Sequence, residues 1–238
     1  MTNLKVSGHL QNNYDRYYED GGSEWRRLGA VNKAANIQAL CQSLRLSRVI
    51  ELGAGHGAVL AELANRGFAQ EFFALEISPT GVAAIDARNI PGLRQCAIFD
   101  GYDVPHGDNS FDLAVLTHVV EHAEYPRRLL YEAKRNARDV DVEVPCEDNV
   151  RLPMDFILDE VGHINFYSPK TIRRLLQTCG LEVLHQLTTH PSRAVYQFQK
   201  GKKGLFAFYV KQGVLQVAPA LATQMFTYNS SLLSKVPG

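Results

Sequence analysis

The sequence predicts an α/β fold, a doubly wound and mostly parallel seven-stranded sheet with helices on both faces and a hairpin-like strand pair at its C-terminal end. Three observations carry this. Short apolar runs alternate with stretches of helical spacing through most of the 238 residues, the pattern of parallel strands joined by crossover helices. The run Val49-Ile50-Glu51-Leu52 enters Gly53-Ala54-Gly55-His56-Gly57 without a break, and a strand that feeds a glycine-rich turn and then a helix is a ligand-binding junction. The pairs Ser78-Pro79 and Ser168-Pro169 each supply an N-cap followed by a first-turn proline.

Residues 1–30 are polar and aromatic, with Tyr14, Tyr17, Tyr18 and Trp25 around the turn signal Asp20-Gly21-Gly22-Ser23, and read as a cap or lid. From Asn32 onward, Ile37, Leu40, Cys41 and Leu44 share one face of an amphipathic helix. Arg48 to Leu52 is the first strand, and Ala58 to Asn65 the helix after the glycine loop, stopped by Gly67. Phe72 to Ile77 is the second strand, and Ser78 opens a helix that reaches Arg88. Gln95 to Phe99 and Leu113 to Thr117 follow as strands, then a helix to about Arg138 and a strand through Val140, Val142 and Val144. Beyond a long loop, a helix runs from Ser168 to Gly180, and Leu181 to Leu187 and Arg193 to Gln199 read as two strands about the turn His190-Pro191-Ser192. The organisation this implies is a cap over 1–30, a cofactor-binding domain over 31–200 and a helical extension over 201–238.

Composition narrows the function. Lys plus Arg and Asp plus Glu number 25 each, so the formal charge is zero, which argues against nucleic acid as a partner. The four cysteines, Cys41, Cys96, Cys146 and Cys179, form no Cys-x-x-Cys pair, as expected of a reduced, cytoplasmic protein. The N-terminus has no apolar signal core, and even the apolar tail from Leu205 to Phe226 is broken by Lys211, Gln212, Gln216 and Pro219. No membrane span is expected.

The glycines by themselves leave the ligand open. Gly53-x-Gly55-x-x-Ala58 also satisfies the dinucleotide fingerprint, and Glu76 stands near the expected ribose position, so an NAD(P)-dependent oxidoreductase remains an alternative on this feature. Two carboxylates and the chain ending separate the readings. Glu51, just before the loop, suits the ammonium of a methionine moiety and would repel a pyrophosphate. Asp100 ends the third strand, where it can accept from an adenine amino group. The hairpin-like ending of the sheet also departs from the dinucleotide pattern. S-adenosylmethionine is therefore the expected cofactor.

The motifs Val49 to Gly57, Leu75-Glu76-Ile77-Ser78, Asn109-Ser110-Phe111-Asp112 and His118-Val119-Val120-Glu121-His122 resemble, in order, those of the class I S-adenosylmethionine-dependent methyltransferases. Together with Gly162-His163-Ile164-Asn165-Phe166-Tyr167-Ser168-Pro169 they are similar to the small-molecule, type 11 or ubiquinone-biosynthesis-like branch. The resemblance covers about residues 32–200. It implies that Glu51, Gly53, Ala54 and Gly55 line the methionine part of the cofactor, Glu76 and Ile77 the ribose, and Asp100 and Gly101 the adenine, with His118 at the pocket mouth.

His118, Glu121 and His122 also spell His-x-x-Glu-His, a zinc pattern of inverted metalloproteases. Zinc would need both histidines on one helix face and a distant third ligand, whereas this motif straddles a strand end and a helix start, so no metal site is expected. Val144-Pro145-Cys146 carries the proline-cysteine pair of cytosine-C5 methyltransferases, but with a neutral charge balance Cys146 reads as structural. Methyl transfer needs alignment and exclusion of water, and a base only when the acceptor is a hydroxyl. His118 and then His163 are the candidate catalytic residues. The expected function is O- or N-methylation of a small-molecule acceptor that enters beneath a lid of 1–30 and the 146–168 loop. A non-catalytic S-adenosylmethionine-binding regulator is the other alternative.

Overall fold

The structure, a computed structural model, describes residues 5, 6, 8, 11, 24–155 and 162–237. Helix α1 (Glu24–Leu40) leads to β1 (Arg48–Leu52), α2 (Ala58–Asn65), β2 (Glu71–Glu76), α3 (Pro79–Ala87) and β3 (Leu93–Ile98). The second half holds β4 (Phe111–Thr117), α4 (Pro126–Asn136), β5 (Ala137–Cys146), α5 (Pro169–Thr178), β6 (Glu182–Thr189), α6 (Arg193–Val217), α7 (Pro219–Met225) and β7 (Tyr228–Lys235). One seven-stranded sheet runs β3-β2-β1-β4-β5-β7-β6. All neighbours pair in parallel except β7, which is antiparallel to both β5 and β6. The doubly wound dinucleotide order ends at a sixth strand beside the fifth; here an antiparallel strand is wedged between them.

Alternate residues of each central strand feed opposite cores. Ile50 and Leu52 of β1, Ala114 and Leu116 of β4 and Val140, Val142 and Val144 of β5 pack under Leu129, Leu130 and Ala133 of α4 and Ile172 and Leu176 of α5. Val49, Phe72, Ala74, Leu113 and Val115 face the other way, against Ala34 and Ile37 of α1, Leu60 and Leu63 of α2 and Ile85 of α3. Serine caps do what their sequence suggests: the Ser78 hydroxyl accepts the Gly81 N–H, and Ser168 with Thr171 closes a capping box.

Three expectations are corrected. The first helix begins at Glu24, eight residues before Asn32, and runs unbroken through the expected boundary at residue 30. Trp25 thus belongs to α1, while Tyr14, Tyr17 and Tyr18 lie outside the described residues. Arg193 to Gln199 is not a strand but the start of α6: its apolar alternation does not match burial, since Val195 is 2% exposed and Phe198 55%. The strand that completes the antiparallel pair is β7, inside the segment expected to be a helical extension. Tyr228-Asn229-Ser230-Ser231-Leu232-Leu233-Ser234 does not look like a central strand because serines hold buried positions on both faces. Ser230 accepts from the Gln186 side chain at 2.9 Å and Ser231 donates to Glu143, so these hydroxyls are buried with partners.

Candidate functional site

The carboxyl ends of β1, β2 and β4 open onto the glycine loop. Gly53, Gly55 and Gly57 have φ of 73°, 57° and 75°, a left-handed backbone that residues with a Cβ rarely adopt. Space forbids a side chain as well: a Cβ on Gly53 would lie 2.8 Å from a Val119 methyl. The loop is held by charge. The Glu76 carboxylate, 2% exposed, accepts the Gly55 N–H at 2.7 Å and the Ser78 N–H at 3.1 Å. Glu76 therefore ties the end of β2 to the loop and lines the same mouth.

Asp100, after β3, accepts the Tyr102 and Asp103 N–H groups through Oδ1 at 2.9 and 2.7 Å. This fixes the turn at Gly101 (φ 93°). The Asp100 carbonyl accepts the Val6 N–H at 3.0 Å, and Gln11 donates to the Ile77 carbonyl at 2.9 Å. The N-terminal segment thus reaches the same mouth from the other side. A compartment of about 70 Å³, half open to solvent, lies there between Val6, Glu76, Ile77, Phe99, Gly101 and His118 among others.

A second, open compartment of about 500 Å³ lies over β1, β4 and β5, lined among others by Trp25, Lys33, Glu51, Gly55, His118 and His163. The two compartments meet at Gly53, His118 and His122. Glu51 sits in the wall of the larger one. Burial pushes its carboxyl up to about 8, against the pull of Lys33, and its Oε2 has no hydrogen-bond partner among the described residues. A buried carboxyl with one oxygen unpartnered among the described residues, beside the glycine loop, is complementary to a ligand carrying an ammonium group.

His118 has a left-handed backbone, φ 57°, and its N–H donates to the Glu143 carbonyl at 2.8 Å. Its ring lies between two fully buried carboxylates, Nδ1 3.2 Å from Glu121 Oε1 and Nε2 3.3 Å from Glu143 Oε1. Burial and Lys33 oppose protonation of the ring, yet the carboxylates outweigh them and raise its pKa. A carboxylate within 3.3 Å of each nitrogen favours the protonated ring, which speaks against the expectation that His118 serves as a general base.

His122 does more than cap locally. Its Nδ1 bonds the Gly162 carbonyl at 3.2 Å, and its ring meets that of His163 edge to face at 4.7 Å between centroids. His163 Nδ1 lies 2.7 Å from Glu147 Oε2. The 118–123 segment is a turn, not a helix start, and Asn165 clamps it: its amide reaches the carbonyls of Val120, Glu121 and Ala123 at 3.3, 3.3 and 2.8 Å. That clamp brings His163, from a distant loop, to Glu121 and His122. Cys146 is buried, and burial pushes its thiol up to about 12, so it is structural.

Sequence reasoning missed the acids of β5 and their partners on α1. Val140, Val142 and Val144 alternate with Asp139, Asp141 and Glu143, and the last two are fully buried under α1. Glu143 accepts from Asn36 at 2.8 Å and from Ser231, and it is held down to about 2 because His118, Lys33 and these bonds outweigh its burial. Asp141 has no hydrogen-bond partner among the described residues, and its pKa is raised by burial and by Glu143. The alternation of valine with acid in 139–144 was the signal available; Lys33 and Asn36 had none.

Residues 23–186 match the family profile described as methyltransferase domain. A curated relative, an uncharacterized protein of Methanocaldococcus jannaschii, is 28% identical over 127 residues, 52% of this chain and 55% of that one. The chain thus matches about half the length of that relative. Among solved structures, geranyl diphosphate C-methyltransferase from Streptomyces coelicolor, in complex with Mg2+, geranyl-S-thiolodiphosphate and S-adenosyl-L-homocysteine, superposes with a TM-score of 0.67 at 12% identity, covering 98% of this chain and 100% of that one. A chain from the complex of the Haloferax volcanii Trm112 methyltransferase activator with a methyltransferase gives 0.64 at 17% identity, covering 94% and 98%. The [4+2]-cyclase SpnF gives 0.62 at 18% identity, covering 87% and 80%. At these identities the superpositions speak for the fold, and the profile speaks for the family. With 23–186 matched, well over half of its length, the chain belongs to the methyltransferase-domain family, and its fold is shared with S-adenosylmethionine-dependent methyltransferases.

Proposed function

We propose that this chain methylates a small-molecule acceptor at oxygen or nitrogen, with the acceptor held in the larger compartment and the cofactor spanning the smaller one and the glycine loop. The observation that carries the reading is the junction: the two compartments share Gly53, His118 and His122 and little else. S-adenosylmethionine supplies the activated methyl, and the chain supplies alignment and a dry path. Glu76 would accept from the ribose hydroxyls, Asp100 and the Gly101 backbone would hold the adenine beside Ile77, and Glu51 with Gly53, Ala54 and Gly55 would take the methionine end. The unpartnered Glu51 Oε2 is the best support for that last assignment.

A compartment walled by side chains on α1, β1 and β5 suits a compact acceptor more than a polymer, in keeping with the zero net charge. The Streptomyces coelicolor enzyme named above likewise takes a small molecule. His118 is placed here as a positioning residue that keeps Glu121 and Glu143 apart at the junction. His118→Ala should lower kcat less than about tenfold; a loss of 10²–10⁴ would restore it as acid or base.

The test is calorimetric titration with S-adenosylhomocysteine against NADH, then incubation with tritiated S-adenosylmethionine and fractionated small-molecule extract. Binding of S-adenosylhomocysteine with label in a low-molecular-weight product supports the proposal. Label in protein or nucleic acid overturns the acceptor class, and binding with no transfer favours a regulator.

A further inference from the structure

We propose that Glu121, His122 and His163 bind a divalent transition-metal ion, zinc being the best fit, and that this ion holds an oxygen of the methyl acceptor at the junction of the two compartments. One ligand atom of each residue lies within 4.8 Å of the others. Three ligands placed tetrahedrally at zinc distances would stand about 3.4 Å apart, so side-chain adjustments of about an ångström close the set. Two imidazoles and a carboxylate are a catalytic zinc donor set that leaves a fourth position for water or substrate.

The surroundings are built for ligation. Metal-binding histidines almost always donate their other ring N–H to a carboxylate or a backbone carbonyl, which fixes ring and tautomer. Both histidines do this. His122 Nδ1 bonds the Gly162 carbonyl, which can only accept, and His163 Nδ1 meets the Glu147 carboxylate. In each ring Nε2 is then the nitrogen with the lone pair. Glu121 is 0% exposed, and neither of its oxygens has a hydrogen bond among the described residues; its nearest cation is His118, 3.2 Å from Oε1. A fully buried carboxylate that shares this neighbouring ring with Glu143 has an oxygen to offer a further cation.

The scaffold is as specific as the ligands. Glu121 and His122 come from the turn after β4, and His163 from a loop more than forty residues later. The two are stitched together by Ile164 and Asn165, whose N–H groups both donate to the Glu121 carbonyl, at 3.0 and 2.9 Å. The expectation that the His-x-x-Glu-His spacing needs both of its histidines on a helix is replaced here. His118 stays with the carboxylates, and the distant loop brings the second imidazole.

The proposal rests on the methyltransferase reading for its role, not for its site. His122 lines both compartments and His163 the larger one, so an oxygen bound to the ion would stand where the acceptor has to be. Bound there, an acceptor hydroxyl becomes more acidic, as zinc-bound water does. Its proton leaves to solvent, an oxygen lone pair forms the new O–C bond, and the C–S bond breaks with its pair remaining on sulfur. A protein base at His118 is then unnecessary, and the favoured acceptor atom is oxygen.

The site is tested on the full chain by dialysis against EDTA, calorimetric titration with Zn2+ alone, and visible absorption with Co2+ in its place. Wild type should take one Zn2+ per chain and show ligand-field bands with Co2+. His163→Ala should weaken Zn2+ binding more than tenfold, His163→Cys should recover most of it, and Glu147→Gln, which removes only the orienting carboxylate, should weaken it about 10–100-fold. S-adenosylhomocysteine titration of the same samples separates the two claims. Zn2+ affinity unchanged in His163→Ala, or no Zn2+ uptake by a wild type that binds S-adenosylhomocysteine, overturns the metal site and leaves the methyltransferase reading intact. Zn2+ uptake without S-adenosylhomocysteine binding does the reverse.

Discussion

Gly81 is a helical glycine with an ordinary backbone, and its replacement by alanine sets two effects of opposite sign against each other. In the first turn of α3 the alanine gains up to about 1 kcal/mol of helix propensity. The added Cβ, however, would lie 2.7 Å from the Gly55 carbonyl oxygen and 2.8 Å from Glu76 Cγ. Ordinary van der Waals contact begins near 3.4 Å, so the helix or the loop must give by about 0.7 Å. Neither yields easily, because the Glu76 carboxylate accepts hydrogen bonds from the Gly55 and Ser78 amides. Overpacking of this kind costs about 1–3 kcal/mol, which leaves a net destabilisation of up to about 2 kcal/mol. At 2–4 °C per kcal/mol for a chain of this size, the thermal midpoint should fall by up to about 8 °C. Cofactor affinity should fall further than stability, since displacing a charged hydrogen-bond acceptor is worth about 1.5–3 kcal/mol, or about 10–100-fold in Kd for S-adenosylhomocysteine. Gly213→Ala in α6, where the new Cβ meets nothing within 4 Å, is the control and should be neutral or stabilising. Gly81→Ala with unchanged stability and unchanged Kd would refute the close approach of α3 to the loop.

Glu51 gives a pH prediction. Its carboxyl is neutral in the fold up to about pH 8 but ionises near 4.5 when unfolded, so its contribution to stability is full below 4.5 and declines as pH rises to about 8. Glu51→Gln should flatten that decline in urea titrations while weakening S-adenosylhomocysteine binding; an unaltered pH profile would contradict its burial. Cys146→Ala should keep turnover within about twofold because the buried thiol supplies no thiolate, and a loss above tenfold would point to a nucleophile. Leu232→Ala in β7 should cost about 2–5 kcal/mol in urea unfolding, whereas Phe198→Ala, on the exposed side of α6, should cost under 0.5. Equal effects would argue against β7 as the strand between β5 and β6.

The sequence alone determines what depends on neighbours along the chain. The left-handed turns at Gly53, Gly55 and Gly57 need residues without a Cβ, the Ser78 and Ser168 caps need a hydroxyl before proline, and an apolar run before a glycine loop has few foldings open to it. These place the glycine loop and most elements of the sheet. Tertiary structure decides what depends on partners far apart. Ser230 and Ser231 can sit in a central strand because Gln186 and Glu143 partner their hydroxyls and neighbouring strands cover them, while Phe198 faces outward, 55% exposed, on α6. The same holds in the site. His118 reads as a base until Glu121 and Glu143 are found at its two nitrogens, and His163 is brought to Glu121 and His122 by the bonds of Gly162, Ile164 and Asn165 across forty residues of chain. Charge state and ligand geometry are set by which carboxylates a fold buries beside a ring, and spacing in a sequence does not carry that.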